Sequence, residues 1–145
     1  MSAEILERNK QLVRDYVATW NRGDLEGLSR FWSSDMVHHT RTRAQTFEEV
    51  RDVVGNFMGA FPDLHFELDD IVAEGDRVVT RMTATGTNHG SYLGVEPTYR
   101  QIHCNVMGIA RVRGDRIVEH WGVTDELAMM AQMGMLPEEY LAAMA

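Results

Sequence analysis

Cysteine is almost absent from this chain, since Cys104 is the single one among 145 residues. One thiol cannot form an intrachain disulfide, and it cannot supply the set of cysteine ligands that many structural zinc sites use. Basic residues are also in short supply, because 14 Lys and Arg are outnumbered by 22 Asp and Glu, for a formal net charge of -8. No Lys/Arg cluster interrupts this acidic balance, which argues against a nucleic-acid partner.

Long apolar segments are missing as well. No apolar run approaches the roughly 20 residues that a membrane helix needs. The first eight residues, MSAEILER, are charged rather than apolar, so no signal peptide is visible. We therefore expect a cytoplasmic protein with no membrane partner. The length and a hydrophobic content of 44% predict a single globular domain over residues 1–145.

The usual signatures of cofactor and metal chemistry do not occur. The chain has no glycine-rich phosphate loop, no dinucleotide-binding fingerprint and no serine nucleophile elbow. His38 and His39 are adjacent on a predicted strand, so their side chains point to opposite faces and cannot bind one ion. No second pair of residues has the spacing of metal ligands. We expect neither a cofactor nor a metal.

Helical signals dominate the first third of the chain. Apolar residues at helical spacing predict a helix over residues 3–21, and Asp24 is placed to cap a short helix that runs to Trp32. A short strand at residues 36–39 and a loop at residues 41–44 follow. Thr46 and Glu49 form a capping-box pattern that opens a third helix, ending between residues 57 and 60.

Strand signals dominate the rest. Long strands are predicted, with tight turns at residues 75–76 and 114–115 and a loop at residues 88–98; the strands cover residues 64–74, 77–87, 99–113 and 116–124. Asp125 and Pro137 then open two C-terminal helices. Helices on one face of a strongly bent antiparallel sheet give an α+β cone that encloses a pocket. The other face of the sheet is expected to mediate dimerisation.

Polar side chains interrupt strands that otherwise have a buried pattern. His103 and Asn105 lie in one long strand, and Glu119 and His120 lie in the next. A buried polar group without a partner costs roughly 1–3 kcal/mol. The sheet therefore has one wet face or lines a cavity, and the second possibility indicates a small-molecule pocket.

This order of elements resembles the SnoaL-like polyketide cyclase family, which belongs to the NTF2-like superfamily of cone-shaped folds. The resemblance rests on segments spread over almost the whole chain: FPDLHF (61–66), DDIVAEGDRVV (69–79), TATGT (83–87), GVEPT (94–98) and IVEHW (117–121). It implies a metal-free aldol cyclisation, in which a pocket carboxylate is the general acid/base and a histidine and amides bind the enolate oxygen. Similar cones host isomerases, dehydratases, epoxide hydrolases, cofactor-free hydroxylases and binding proteins.

The chain departs from the family pattern at its polar positions. The cyclase carboxylate corresponds to Gly122, and the cyclase histidine corresponds to Gly108. The glutamine beside that histidine corresponds to Val106, and the asparagine after the second helix corresponds to His38. The resemblance thus implies the family's scaffold without the family's catalytic set.

Three residues are candidates for proton transfer. By resemblance, His38 points into the cone, and His120 shares strand parity with Gly122, so Glu119 and Trp121 face away. Each histidine has an alternative interpretation as a structural or ligand-binding side chain. Asp125 could replace the missing carboxylate, although an Asp at a helix start is more often an N-cap.

Further residues are candidates for substrate binding. By resemblance, the small-residue face of strand 99–113 lines the cavity, and His103 and Asn105 then lie on the outer face, at a dimer interface. A β-bulge in this strand would reverse the two faces, so the alternative that His103 and Asn105 face the cavity stays open. Arg81 could bind a carboxylate or pair with an Asp on a neighbouring strand. His89 and Tyr92 lie in the loop at the expected mouth of the cone, where they could bind substrate or simply be solvated. The remaining aromatic candidates could stack on a ligand or simply belong to the core. The candidate binding residues are Trp20, Trp32, Phe57, Phe61, Arg81, His89, Tyr92, Cys104, Val106, Gly108 and Gly122.

The sequence therefore predicts a cofactor-independent acid/base enzyme of the polyketide cyclase or isomerase type. Its substrate would be small, largely apolar, and carbonyl-bearing or polycyclic, and the protein would be a homodimer or a larger homo-oligomer. Two alternatives stay open. One is a non-catalytic small-molecule binder or accessory protein, and the other is a hydroxylase or epoxide hydrolase on the same scaffold.

Overall fold

The computed structural model describes residues 2–40 and 43–144 and contains five helices and six strands within those ranges. The helices are α1 (Ala3–Asn21), α2 (Leu25–Ser29), α3 (Phe47–Ala60), α4 (Glu126–Gln132) and α5 (Glu138–Met144). The strands are β1 (Trp32–Thr40), β2 (Arg43–Gln45), β3 (His65–Glu74), β4 (Arg77–Thr87), β5 (Gln101–Arg113) and β6 (Arg116–Thr124).

Local capping chemistry sets most helix starts. The Asp24 side chain accepts a hydrogen bond from the Gly27 N–H, and Thr46 forms the complete capping box with Glu49. Both predicted caps are confirmed. The prediction that the second helix continues to Trp32 is wrong. Trp32 instead begins β1, because it pairs with Ile117 across the sheet and its indole N–H donates to the Tyr16 hydroxyl at 3.0 Å.

The strands form one curved sheet in the order β2-β1-β6-β5-β4-β3, with helices packed against it. The predicted α+β cone is confirmed, and the sheet does not close into a barrel. β3 to β6 are the predicted antiparallel strands, and the turns contain Gly75 and Gly114 in the left-handed region, with φ of 58° and 63°. β1 joins β6 in parallel, so the sheet is mixed at that edge.

The region after β1 differs from the sequence prediction. β1 runs over nine residues rather than the four predicted, because it pairs with β6 at Trp32 and again from Val37 to His39, with a register shift between the two. Arg43 and Ala44, predicted as part of a loop, belong to β2, which pairs antiparallel with β1. Arg41 and Thr42, from the same predicted loop, lie outside the described residues. β2 therefore brings Gln45 beside His38.

The apolar core lies between the helices and the concave face of the sheet. One group of buried residues joins α1, α2 and α3 to the sheet and includes Val13, Leu28 and Ile117. A second group includes Phe61 and Met129 and extends toward α4. Side chains of both groups line a cavity between the helices and the sheet. None of the helices in the described part of the chain is long and apolar enough to cross a membrane.

Candidate active site

A cavity of about 1130 Å³ lies between the concave face of the sheet and the helices. Its volume is at the upper end of the range typical of small-molecule sites. Its wall is mainly apolar and aromatic, with contributions from α1, α3, α4 and the loop before β5. The lining side chains include Val13, Tyr16, Val17, Trp20, Trp32, Val50, Val54, Phe57, Phe66, Val78, Met82, Tyr92, Leu93 and Met129.

Two histidines lie side by side on this wall. His38 of β1 and His120 of β6 are direct partners in the parallel register, so both side chains face the cavity. Their rings stack with centroids 4.8 Å apart, and the two Nδ1 atoms are 2.9 Å apart, which is hydrogen-bond distance. A neutral imidazole has one N–H, so one Nδ1 donates and the other accepts. We call this pair the His38–His120 dyad.

Burial keeps the dyad neutral. Desolvation, reinforced by the neighbouring His39, lowers the pKa of His38 from 6.5 to about 4. Desolvation, reinforced by His38, lowers the pKa of His120 from 6.5 to about 3. Both rings are therefore uncharged near neutral pH.

The hydrogen bond between the Nδ1 atoms leaves Nε2 of His38 as the nitrogen available to a ligand. Across the described residues, His38 makes no other hydrogen bond. When His38 Nδ1 donates to His120, Nε2 of His38 is bare and acts as a base. When His120 donates instead, Nε2 of His38 carries the proton and can donate it to a ligand oxygen.

Glycine at two positions makes room for His120. A Cβ added to Gly122 would lie 3.3 Å from Cε1 of His120, and a Cβ added to Gly108 would lie 3.2 Å from its Nε2. Gly122 lines the cavity as predicted, whereas Gly108 does not. Gly108, predicted to line the cavity and bind substrate, lies outside the wall, because the His120 ring covers it.

Residues that alternate along the strands with cavity-facing ones such as His38 and His120 lie on the outer face of the sheet. His39 Nε2 is 2.8 Å from Oε2 of Glu119, and the His39 ring stacks on Trp121 with centroids 5.0 Å apart. The predicted orientation of Glu119 and Trp121, away from the cavity, is confirmed. His103 and Asn105 are exposed, as expected for the outer face of β5.

Asp125 is a helix cap in this structure. Its side chain accepts a hydrogen bond from the Ala128 N–H at 3.1 Å, and the residue is exposed and outside the cavity wall. The expectation that Asp125 supplies the missing pocket carboxylate is thus corrected, because its carboxylate is engaged at the start of α4. The next residue, Glu126, lines the cavity, which the sequence analysis missed.

Seven of the predicted binding residues line the cavity: Trp20, Trp32, Phe57, Tyr92, Cys104, Val106 and Gly122. Phe61 does not, because it is buried behind the wall, with its ring centroid 5.1 Å from that of Phe57. Burial, with a smaller effect of the charge on Asp125, raises the pKa of the Cys104 thiol. A buried, protonated thiol agrees with packing rather than nucleophilic attack.

Arg81 and His89 also lie outside the cavity. Arg81 is on the outer face, where its Nε donates to Oδ2 of Asp70 at 2.6 Å. The expectation that Arg81 contacts substrate is wrong, and its alternative interpretation as a partner of a neighbouring Asp is the correct one. His89 is exposed and lies edge-on to Tyr99 at 5.8 Å, because the loop turns it away from the wall.

Gln45 and Tyr16 are cavity residues that sequence reasoning missed. Gln45 was missed because β2 was predicted as loop, and extending the short strand would have placed it opposite His38. Tyr16 served only as one of the apolar residues whose spacing predicts the first helix. Its hydroxyl accepts from Trp32, and burial raises its pKa. No group of three His, Cys, Asp or Glu within residues 2–40 and 43–144 could hold a metal ion.

Comparison with known proteins identifies the family. The family model for the SnoaL-like polyketide cyclases matches residues 10–133, which includes β1, β6 and every strand between them. The chain belongs to the SnoaL-like polyketide cyclase family. No significant match is found among curated proteins.

Solved structures with the SnoaL-like fold are similar over most of the chain. AclR from Streptomyces galilaeus, a putative hydroxylase, is 34% identical with a TM-score of 0.85, covering 91% of this chain and 88% of its own. IdmH from Streptomyces antibioticus, a putative polyketide cyclase, is 32% identical with a TM-score of 0.76, covering 87% and 98%. TsrD from Streptomyces laurentii is 26% identical with a TM-score of 0.78, covering 94% and 99%.

Proposed function

We propose that this SnoaL-like protein is a cofactor-independent acid/base enzyme of the cyclase or isomerase type. Its substrate is largely apolar and polycyclic and bears a carbonyl group. The observation that carries this proposal is the His38–His120 dyad, with Nδ1 atoms 2.9 Å apart, on the wall of a mainly apolar cavity of about 1130 Å³. A mainly apolar pocket with a few convergent polar groups is the usual form of a small-molecule site.

His38 performs the proton transfer in this proposal. Its bare Nε2 removes a proton from the carbon next to the substrate carbonyl, and an enolate forms. The Nδ1–H of His38 donates to His120 and holds the ring in the required tautomer. In a cyclisation, the enolate carbon forms a bond to a second carbonyl carbon, and His38 returns the proton to the new alkoxide. In an isomerisation, His38 returns the proton to a different atom of the enolate.

The low pKa of His38 favours return of the proton. Protonated His38, with a pKa of about 4, is a strong acid by the standard of imidazoles. It therefore gives the proton up once the enolate has reacted, and no net acid or base is consumed. The same low pKa makes His38 a weak base, so the substrate must have an acidic carbon, as a proton between two carbonyl groups is.

Carbon–hydrogen exchange tests this function without knowledge of the product. Polycyclic 1,3-dicarbonyl compounds are incubated with the protein in deuterium oxide, and deuterium uptake is followed by mass spectrometry. We expect uptake with the wild type, a loss of about 10²-fold or more in His38→Asn, and no change in the control His65→Asn, an exposed histidine on β3. Binding without His38-dependent uptake would identify a non-catalytic binder.

Hydroxylation is a second candidate function, and the similarity to AclR favours it. The dyad would then deprotonate a phenol or enol, and the resulting carbanion would add dioxygen to form a hydroperoxide. Loss of water from the hydroperoxide, at a carbon that still bears a hydrogen, would leave one oxygen atom of the dioxygen on the product as a carbonyl or its enol. Incubation under isotopically labelled dioxygen distinguishes the two reactions, because hydroxylation adds a labelled oxygen to the product and cyclisation does not.

We also propose that two copies associate through the outer face of the sheet, and that the protein acts in the cytoplasm. Apolar side chains are contiguous on that face, since Val79 pairs with Ile109 and Met107 pairs with Val123 across neighbouring strands. Met107 and Val123 are 53% and 72% exposed. Contiguous exposed apolar side chains are typical of protein interfaces.

A further inference from the structure

Gln45 of β2 lies beside the dyad in the sheet. In the antiparallel register of β1 and β2 its Cα is the direct partner of His38. Directly opposite residues of an antiparallel pair have Cβ atoms about 5 Å apart on the same face. Because His38 is in turn the partner of His120, the three side chains form a row across β2, β1 and β6. All three line the cavity.

The Gln45 amide lacks hydrogen-bond partners. The residue is only 8% exposed, and its Oε1 atom is buried with no partner among the described residues. No hydrogen bond from its Nε2 to any part of residues 2–40 and 43–144 is present either. A buried acceptor without a partner is destabilising, and native proteins seldom retain one without a function. The chain keeps this amide at the wall of a cavity, where a ligand can reach it by rotation of the terminal amide.

The missing partner defines the chemistry of the ligand. A carbonyl oxygen can accept from the amide N–H₂ but cannot donate to Oε1. A hydroxyl group can donate to Oε1, and it can also accept from Nε2 when the amide rotates. The adjoining dyad is neutral and the wall is mostly apolar, although Arg43 and Glu126 also line the cavity, so a donor that carries no charge suits this position best. A neutral hydroxyl meets this requirement.

We propose that Gln45 is a substrate-positioning residue that binds a phenolic or enolic hydroxyl of the polycyclic ligand. This inference rests on the proposed function for the identity of the reacting group, since the hydroxyl held at Gln45 places the adjacent ring carbon at Nε2 of His38. It names the substrate class as hydroxylated polycyclic compounds, rather than polycyclic compounds in general.

A matched pair of ligands and a matched pair of variants test the proposal. The probes are 2-hydroxyanthraquinone and 2-methylanthraquinone, which differ by a hydroxyl and a methyl group of similar size. Dissociation constants are measured by fluorescence or calorimetry for the wild type, Gln45→Met and Gln45→Glu. We expect the wild type to bind the hydroxyl probe at least about fivefold more tightly than the methyl probe. Gln45→Met should abolish this preference, and Gln45→Glu, which keeps an acceptor, should retain it.

A stability measurement separates a binding role from a structural one. If Gln45 only supported the fold, Gln45→Met would lower the melting temperature. We expect the melting temperature to stay the same or rise, because the substitution removes a buried acceptor that has no partner. A lowered melting temperature, or an unchanged preference for the hydroxyl probe in Gln45→Met, would overturn the proposal. Failure of the wild type to bind either probe would also overturn it.

The outcomes also distinguish this inference from the proposed function. One outcome is that deuterium uptake depends on His38 while Gln45→Met leaves the preference for the hydroxyl probe unchanged. That outcome would support the proposed enzyme activity and contradict the role of Gln45. A Gln45-dependent preference without deuterium uptake would leave a hydroxyl-specific binding site on a protein that is not this enzyme.

Discussion

Gly122 lies against both rings of the dyad. A Cβ at this position would be 3.3 Å from Cε1 of His120 and 3.6 Å from Cε1 of His38. Position 122 is also where the family resemblance places the cyclase carboxylate. A carboxylate at 122 and the His38–His120 dyad therefore compete for the same part of the cavity wall. The two arrangements are alternative solutions to the same problem, which is to hold a proton-transfer group in an apolar cone.

We predict that Gly122→Asp raises the pKa of His38 above about 4, because a carboxylate beside an imidazole stabilises the charged form. The pKa is measured from the pH dependence of the imidazole Cε1–H signal in nuclear magnetic resonance spectra. Gly122→Asn is the control of matched size, and it should raise the pKa much less. Equal titration curves in the two variants would show that residue 122 does not contact the dyad in solution.

The dyad should make the folded state sensitive to mild acid. In the folded protein the pKa values of His38 and His120 are about 4 and about 3, below the value of 6.5 for an exposed histidine. The unfolded state therefore binds more protons as the pH falls below about 6.5. The two histidines therefore leave the free energy of unfolding unaffected above that pH. They lower it as the pH falls, until the folded protein also binds the proton, near pH 4 for His38 and near pH 3 for His120.

The expected slope of the unfolding free energy against pH follows from the number of protons that the two histidines take up on unfolding. Each histidine contributes up to about 1.4 kcal/mol of unfolding free energy per pH unit in this range. Denaturant titrations at several pH values should show that the free energy of unfolding depends less steeply on pH in His38→Asn than in the wild type. The control His65→Asn should have the same slope as the wild type. Parallel curves for the wild type and His38→Asn would mean that His38 titrates normally in the folded protein.

The sequence predicted those parts of the fold that depend on local chemistry. Asp24, Thr46 and the turn glycine Gly75 act within a few residues of their own position, so their patterns can be recognised in the sequence alone. β2 was missed because three residues have no detectable periodicity. Its existence depends on pairing with β1, which is a tertiary interaction.

The site was predicted in part for the same reason. Strand parity placed His38 and His120 on the inner face. Parity does not specify that the two residues are register partners across 82 positions of sequence, and the contact between their Nδ1 atoms depends on that register. Gln45 could not be assigned to the site from the sequence, because its position depends on β2, which was not predicted. Arg81 was misplaced because an exposed ion pair with Asp70 and a ligand-binding arginine have the same local pattern.

Asp125 provides a test of capping against catalysis. We predict that Asp125→Ala lowers the free energy of unfolding by about 1 kcal/mol, because the Ala128 N–H loses its acceptor. Asp125→Asn keeps a capping oxygen and should be close to the wild type. Neither substitution should change the rate of His38-dependent deuterium uptake. A large loss of uptake in Asp125→Asn at unchanged stability would restore Asp125 as a candidate catalytic residue.

The outer face of the sheet should bury its apolar centre in a dimer. Met107 and Val123 are exposed partners, and Ile109 lies beside Trp121 in the next pair. Ion pairs flank this centre, with Arg81 bound to Asp70 on one side and Arg111 bound to Glu119 on the other. An apolar centre with a polar rim is the usual anatomy of an interface.

We predict a dimer of the wild type in analytical ultracentrifugation and a shift to monomer in Val123→Glu, because the substitution would place a carboxylate in the apolar centre of the proposed interface. Leu127→Glu is the control, since Leu127 is 54% exposed on α4, away from the outer face of the sheet. It should leave the dimer intact. Val123 points away from the cavity, so a monomeric Val123→Glu that still binds 2-hydroxyanthraquinone would show that the site is complete within one chain. A wild type that sediments as a monomer at micromolar concentration would contradict the proposed interface.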